Sequence, residues 1–353
     1  MTQLPERSDL NYYGKLMQYG TPIAGQVEVQ SGCFQHCRMC ESWRDDLKGV
    51  VRGTWSVNDL LSLTQRLASF RTFEHLSLTG GDPQAWKPLT QYLAAVLARQ
   101  ELGTLRKGFG LQLNTALTRD VEDVSLWSAA LQDVRVSLDA IDKDAYAWIR
   151  GDKDTDPLDV VARVDALGRA GVNVQLNVCV TAETLDQMEQ IAHVVASAMD
   201  YPPRKVTFLP VIGDRFTRDS DFWIRYSGET NRLAVYLARH GVKSNDAEGV
   251  AATREWCSGS EAAETPCYHG GTTFHIKANG DVYPCCLVGG EAISTYKQFI
   301  LGNYFEGYTF TPTRKPQLDY ADEDKPCRNI CQWKQAALNK AAHEASLVQL
   351  SMP

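Results

Sequence analysis

The chain has 353 residues, 44% of them hydrophobic, and a formal net charge of -7, enough apolar matter for one barrel-sized domain with a smaller appendage. The acidic balance excludes a protein that lives on phosphate backbones; the most basic stretch, Arg99 to Lys107, is short, diluted by Glu101, and reads as a solvated helix end and loop. No apolar run approaches the roughly 18 residues that span a bilayer, and Met1 to Asn11 carries charges where a signal peptide needs an apolar segment, so a cytoplasmic protein with neither nucleic acid nor membrane as partner is expected.

Residues 1–24 read as an N-terminal extension. From Gly25 to Pro210 short strand-like runs alternate with longer helix-like ones, which predicts parallel strands joined by crossover helices. Strands are expected at 26–30, 75–79, 109–114, 133–139, 172–180 and 205–210. Helices are expected at 56–70, 86–101, 118–131, 156–170 and 184–198, where apolar residues recur at three- and four-residue spacing. The fold class is therefore α/β, with a partial (β/α)6 barrel resembling the TIM type over 25–242. A further helix is expected from Glu229 to His240 after a looser stretch, then a linker at 243–256, a small cysteine-bearing module at 257–334 and a C-terminal helix at 335–353.

The strands alternate where buried parallel strands usually run continuously apolar. Val172, Val174, Leu176, Val178 and Val180 fall on one face of the fifth strand, opposite Asn173, Gln175, Asn177, Cys179 and Thr181; the fourth sets Val134, Val136 and Leu138 against Arg135, Ser137 and Asp139. With the apolar faces against the helices, the polar faces line the inside. A polar cavity holding water or a ligand is expected there, since so many polar groups need partners.

Ten cysteines in a reducing compartment point to metal rather than disulfides. Cys33, Cys37 and Cys40 stand as CxxxCxxC between the first strand and the first long helix. Three thiolates can wrap one face of a 4Fe-4S core and leave one iron free to chelate an amino and a carboxylate group. A structural zinc site completed by His36 is the competing reading. After the second strand comes Gly80-Gly81-Asp82-Pro83, whose glycines permit close backbone approach and whose carboxylate can accept from an amine.

CxxxCxxC after the first strand of a partial barrel, followed by GGDP after the second, resembles the radical S-adenosylmethionine (radical SAM) superfamily, whose usual second segment is GGEP. The resemblance implies an enzyme that cleaves S-adenosylmethionine reductively to a 5'-deoxyadenosyl radical, which abstracts a substrate hydrogen. It places Gly80 to Pro83 at the methionyl end of the cofactor, Ser137 and Asp139 at its ribose and carboxylate, Arg150 at its carboxylate, and Asn114 and Asn177 near the nucleoside. The family often has an aromatic residue before the third cysteine; here Met39 stands there, and a thioether can make the same contact with adenine.

The C-terminal module carries Cys257, Cys267, Cys285, Cys286, Cys327 and Cys331. HIKANGDVYPC reads as a hairpin turning at Asn279-Gly280 that presents Cys285. The spacing resembles the twitch domain, a shortened SPASM domain, which implies an auxiliary 4Fe-4S cluster on Cys267, Cys285, Cys327 and Cys331 and hence two clusters per chain; zinc on four thiolates is the alternative, and Cys257 is able to displace one of the four. Cys179, facing the interior, and Cys257 are candidate hydrogen donors to a substrate radical, and a small core residue is the bland reading of Cys179.

Such enzymes often mature ribosomally made peptides by epimerisation, crosslinking, excision or oxidation, and this is the favoured function; a dehydrogenase of small molecules such as aminocyclitols is the alternative, and a zinc-bound interaction module the reading outside the class. The segment before the barrel is too short for a leader-binding domain, so a separate leader-binding partner protein is expected, with flavodoxin or ferredoxin as electron donor.

Overall fold

A computed structural model describes residues 22, 24–40, 53–211, 220–245, 250, 273–284 and 300–310. Most of the N-terminal extension, most of the linker, the C-terminal helix and Cys257, Cys267, Cys285, Cys286, Cys327 and Cys331 lie outside the described residues. Among the described residues no helix is long and apolar enough to cross a membrane.

Six parallel strands, β1 (Ala24–Glu28), β2 (His75–Thr79), β3 (Gly110–Thr115), β4 (Asp133–Ser137), β5 (Val174–Val180) and β6 (Lys205–Pro210), match the six expected. They pair in chain order, as crossover connections require. The helices are α1 (Val57–Ser69), α2 (Leu89–Glu101), α3 (Val124–Ala130), α4 (Lys143–Arg150), α5 (Pro157–Arg169), α6 (Gln187–Ser197) and α7 (Ser220–Arg239). Side-chain caps fix several starts: Ser56 accepts from the Asp59 amide, Asp142 from that of Ala145, and Asp156 from that of Leu158 ahead of Pro157.

The helix expected at 118–131 covers only Val124–Ala130, where the Asp123 side chain caps its start, and three further features differ from expectation. The fourth crossover carries an additional short helix, α4, delimited by the Asp142 cap and by Gly151 in the left-handed conformation at φ 60°. The helix expected from Glu229 starts instead at Ser220, because Phe222, Tyr226, Thr230, Leu233 and Leu237 continue one buried stripe straight through Gly228. The interior-facing layer near the strand starts is no open cavity: Ser77 Oγ donates to Gln112 Oε1 at 2.8 Å, Gln112 Nε2 to Asp133 Oδ2 at 3.2 Å, and Gln175 Nε2 to Asp133 Oδ1 at 3.1 Å, while Asn173 Nδ2 bonds the same carboxylate. These polar groups satisfy one another, so the floor of the barrel is a closed network. Nearer the strand ends the expected alternation holds: Val174, Leu176, Val178 and Val180 are buried against the helices, and Gln175, Asn177 and Cys179 are only partly covered.

The C-terminal hairpin, β7 (Thr273–Ile276) and β8 (Asp281–Tyr283), turns at Asn279-Gly280 as expected. It is not a separate layer. β7 pairs parallel to β1, and β8 with the two-residue β9 (Gly302–Asn303) extends the same sheet to nine strands in the order β6-β5-β4-β3-β2-β1-β7-β8-β9. The β6 edge is covered where Lys243 bridges Lys205 and the Asn245 side chain bonds both the N–H and the C=O of Phe208.

Three contacts make the β1–β7 seam. The Phe274 ring lies over Gly25, where a Cβ would stand 2.1 Å from Cζ, stacks with Phe73 and meets Phe310 at a tilt. Trp55 meets Tyr304 and Phe305 at ring-centroid distances of 5.1 and 4.8 Å. Glu28 Oε1 accepts from Lys277 Nζ at 2.8 Å and His275 Nε2 at 3.1 Å. Burial alone would raise the Glu28 carboxyl, but Lys277 and His275 outweigh it and hold it down from 4.5 to about 2.

Glu28 is thus ionised in the fold at pH values where it is protonated in the unfolded chain. Its contribution, on the order of 3 kcal/mol, is complete above pH 4.5 and lost as the pH falls towards 2. Glu28→Gln is expected to cost most of this at pH 7, with variant and parent converging in acid. Urea unfolding of both across that range checks it, and a pH-independent gap contradicts it.

Candidate radical-generating site

The loop after β1 carries the three cysteines, and α4 holds it. A helix leaves its last four carbonyls without internal partners. In α4 the Ala147 carbonyl takes the Gly151 amide at 3.0 Å, and the other three go to the cysteine loop: Arg150 C=O accepts from His36 N–H at 3.1 Å, Ile149 C=O from Arg38 N–H at 2.8 Å, and Trp148 C=O from Arg38 Nε at 2.7 Å. The Arg38 guanidinium also covers the Trp148 ring at 4.6 Å. Gly151 is required where the segments touch, since a Cβ would come within 2.3 Å of His36 O.

The glycines of GGDP clamp the same loop from the other side. Gly81 N–H donates to Gln30 O at 3.0 Å and Asp82 N–H to Gly32 O at 2.9 Å. A Cβ on Gly80 would lie 2.3 Å from Gln30 O, and one on Gly81 1.9 Å from Gly32 O. The glycines therefore serve backbone packing between the two motifs. Asp82, 1% exposed, spends its carboxylate inside the protein: Oδ1 accepts from Gln84 N–H at 2.9 Å and Thr115 Oγ1 at 2.8 Å, and Oδ2 from Ala116 N–H at 3.0 Å. It ties the end of β3 to the 3-10 turn Pro83–Ala85, in which Pro83 is buried.

The expected residues of β4 and β5 form a second group. Asp139, wholly buried, accepts from Cys179 N–H at 2.7 Å and pairs with Arg150 Nε at 2.8 Å. Arg150 Nη1 donates to Cys37 Sγ at 3.3 Å, and Nη2 is buried without a partner. Asn114 Oδ1 is likewise buried and unpartnered. Ser137 and Asn177 sit side by side in register on the half-covered interior face. Burial and the neighbouring Asp139 carboxylate keep the Cys179 thiol protonated, the form that can give up a hydrogen atom.

Of the three cysteines Cys33 is exposed, Cys37 buried and Cys40 between. Lost hydration lifts the Cys33 thiol to about 12 although the residue reaches the surface, and burial lifts that of Cys37 against the pull of Arg150. Iron binding must displace these protons. Gln35 N–H already points at Cys33 Sγ at 3.4 Å, and its side-chain amide is fixed by Tyr146 and Asp152. Among the described residues no three His, Cys, Asp or Glu side chains converge on one ion-sized point.

The residues also fit S-adenosylmethionine. Arg150 Nη2 is a charged donor suited to a carboxylate, and Asn114 Oδ1 an acceptor suited to a hydroxyl or amine; both are buried and lack any protein partner. Sequence reasoning missed the α4 carbonyls and the Arg150–Cys37 bond. The Asp142 and Gly151 caps were the available signal.

The radical SAM superfamily model matches residues 27–195, and that of an iron-sulfur cluster-binding domain, SPASM, residues 267–310. A search of curated protein sequences gives no match. Among solved structures, Streptococcus suis SuiB bound to S-adenosylmethionine is similar with a TM-score of 0.61 at 16% identity, over 91% of this chain and 75% of that one. SuiB bound to precursor peptide SuiA gives 0.60 at 14%, over 94% and 77%. Native anSMEcpe with bound AdoMet gives 0.60 at 15%, over 93% and 98%. The chain therefore carries a radical SAM superfamily domain over residues 27–195, and with it enzyme chemistry on a 4Fe-4S cluster with S-adenosylmethionine, and a SPASM-type domain over residues 267–310 for a further iron-sulfur cluster.

Proposed function

We propose that this enzyme matures a ribosomally synthesised peptide, by epimerising, crosslinking, excising or oxidising a residue. The observation that carries the reading is the likeness in fold, over 94% of the chain, to a structure holding a precursor peptide; anSMEcpe with a bound peptide is similar over 93%. The open sheet agrees with it. β1 pairs with β2 and β7 and leaves β6 at the far edge, so the barrel is not closed. A separate leader-binding protein and a flavodoxin or ferredoxin complete the proposed reaction.

In this reading Cys33, Cys37 and Cys40 hold the radical-generating cluster, and Cys267, Cys285, Cys327 and Cys331 the auxiliary one, within domains bounded at about 25–242 and 257–334. When bound, the first cluster supplies the electron that splits S-adenosylmethionine into methionine and the 5'-deoxyadenosyl radical that takes a substrate hydrogen. The chain's own part is placement. Arg150 and Asn114 orient the cofactor, Ser137 and Asn177 line the space beside it, Asp82 keeps the GGDP segment against the cysteine loop, and Cys179 or Cys257 offers a hydrogen atom to the substrate radical.

Anaerobic reconstitution is expected to load about eight irons per chain, two 4Fe-4S clusters. Cys33→Ala is expected to abolish 5'-deoxyadenosine formation, read by chromatography; continued formation would remove these cysteines from the chemistry. Cys327→Ala is expected to keep some uncoupled cleavage while abolishing product, and normal turnover would show that the second module has another role. A short precursor peptide encoded beside this chain, incubated with reductant and S-adenosylmethionine, should show a mass or stereochemical change. An unchanged peptide alongside 5'-deoxyadenosine release counts against the peptide assignment alone.

A further inference from the structure

Arg150 is 7% exposed and has three hands in three places. Nε pairs with Asp139 Oδ2 at 2.8 Å, Nη1 donates to Cys37 Sγ at 3.3 Å, and Nη2 is the unpartnered donor beside them. The resemblance to the family accounts for a bond from Arg150 to the cofactor carboxylate, for which Nη2 is the donor left over. The Nη1 bond reaches a cysteine that, on the proposed function, is a cluster ligand, and nothing in cofactor binding requires it.

The rest of the fold aims that bond. Asp139 takes the Cys179 amide of β5 on its other oxygen at 2.7 Å, so the carboxylate cannot turn away from Nε. Arg150 is the last residue of α4, and its own carbonyl is bonded to His36, one residue before Cys37. Guanidinium and thiol are thus fixed to one another through both backbone and side chain.

We propose that Arg150 sets the reduction potential of the radical-generating cluster through its hydrogen bond to Cys37, with Asp139 as the residue that positions it. Reduction adds one electron, hence one negative charge, to a cluster whose ligand sulfurs share that charge. A buried cationic donor on one sulfur stabilises the reduced form more than the oxidised form and raises the potential. In this dry setting the effect is larger than at a surface. Arg150 is therefore more than a clamp for the cofactor: it eases the electron transfer that must precede cofactor cleavage.

The test is a redox titration of the reconstituted full chain without S-adenosylmethionine, followed by electron paramagnetic resonance. The signal lost in Cys33→Ala identifies the cluster in question, and iron content verifies loading. Arg150→Met removes the donor; the double variant Arg150→Met with Asp139→Asn also removes the carboxylate left unpaired. Arg150→Met is expected to lower the potential so that the reduced fraction at a fixed poise falls about tenfold, ~59 mV for a one-electron couple; the double variant, which also loses a negative charge, is expected to lie between that value and the parent's.

An unchanged potential in a loaded variant overturns the proposal and leaves Arg150 as a cofactor ligand only. A double variant that loads no iron overturns it too, since Arg150 would then be holding the loop together. The inference rests on the proposed cluster site, but the two fail separately: a parent chain without iron sinks the site, whereas a loaded parent with unmoved variants sinks only this inference.

Discussion

Three carbonyl oxygens at the end of one short helix organise the catalytic end of this protein. A helix terminus has to place its last acceptors somewhere, and in α4 they go to the backbone and guanidinium of the cysteine loop. A loop meant to wrap an iron-sulfur core has little apolar surface with which to order itself, so external hydrogen bonds must supply its shape. The N–H groups of Gly81 and Asp82 provide the opposing jaw. Between these jaws Cys37 sits deepest of the three, and it is the cysteine met by a side-chain cation.

This arrangement changes what the two motifs mean. The glycines of GGDP are needed because the loop carbonyls of Gln30 and Gly32 occupy the volume of a Cβ, and the aspartate because it joins that segment to the end of β3. Motif and motif touch each other before either meets a ligand. Arg150 Nη2 and Asn114 Oδ1 are among the buried polar atoms left without a protein partner, the kind of group that a bound cofactor would satisfy.

Much of this was legible in the residue pattern. Alternation in the strands followed from a barrel whose apolar residues face the helices, and the Asn279-Gly280 turn from its need for positive φ, which Gly280 takes at 90°. The failures have local causes. α4 is eight residues long and lies in a crossover already supplied with a helix, so its caps were passed over. The loosened pattern before Glu229 hid the first turns of α7, although the buried stripe crosses Gly228, where an isolated exposed glycine costs only about 1 kcal/mol. The pairing of β7 with β1 joins segments far apart in the chain and depends on one glycine lying under one ring, which no periodicity reveals. Side-chain contacts were least legible: nothing in the residue pattern showed that Asp82 ties its segment to the end of β3 or that Asp139 joins Arg150 to the Cys179 amide.

The contact of Phe274 with Gly25 makes β1 the shared spine of both modules. Homologues are free to vary the helices that coat the barrel, but at this point bulk added on one strand has to be surrendered on the other. Exchange of C-terminal modules between related enzymes is therefore constrained at this pair of positions, and a chimera must inherit both members from the same parent.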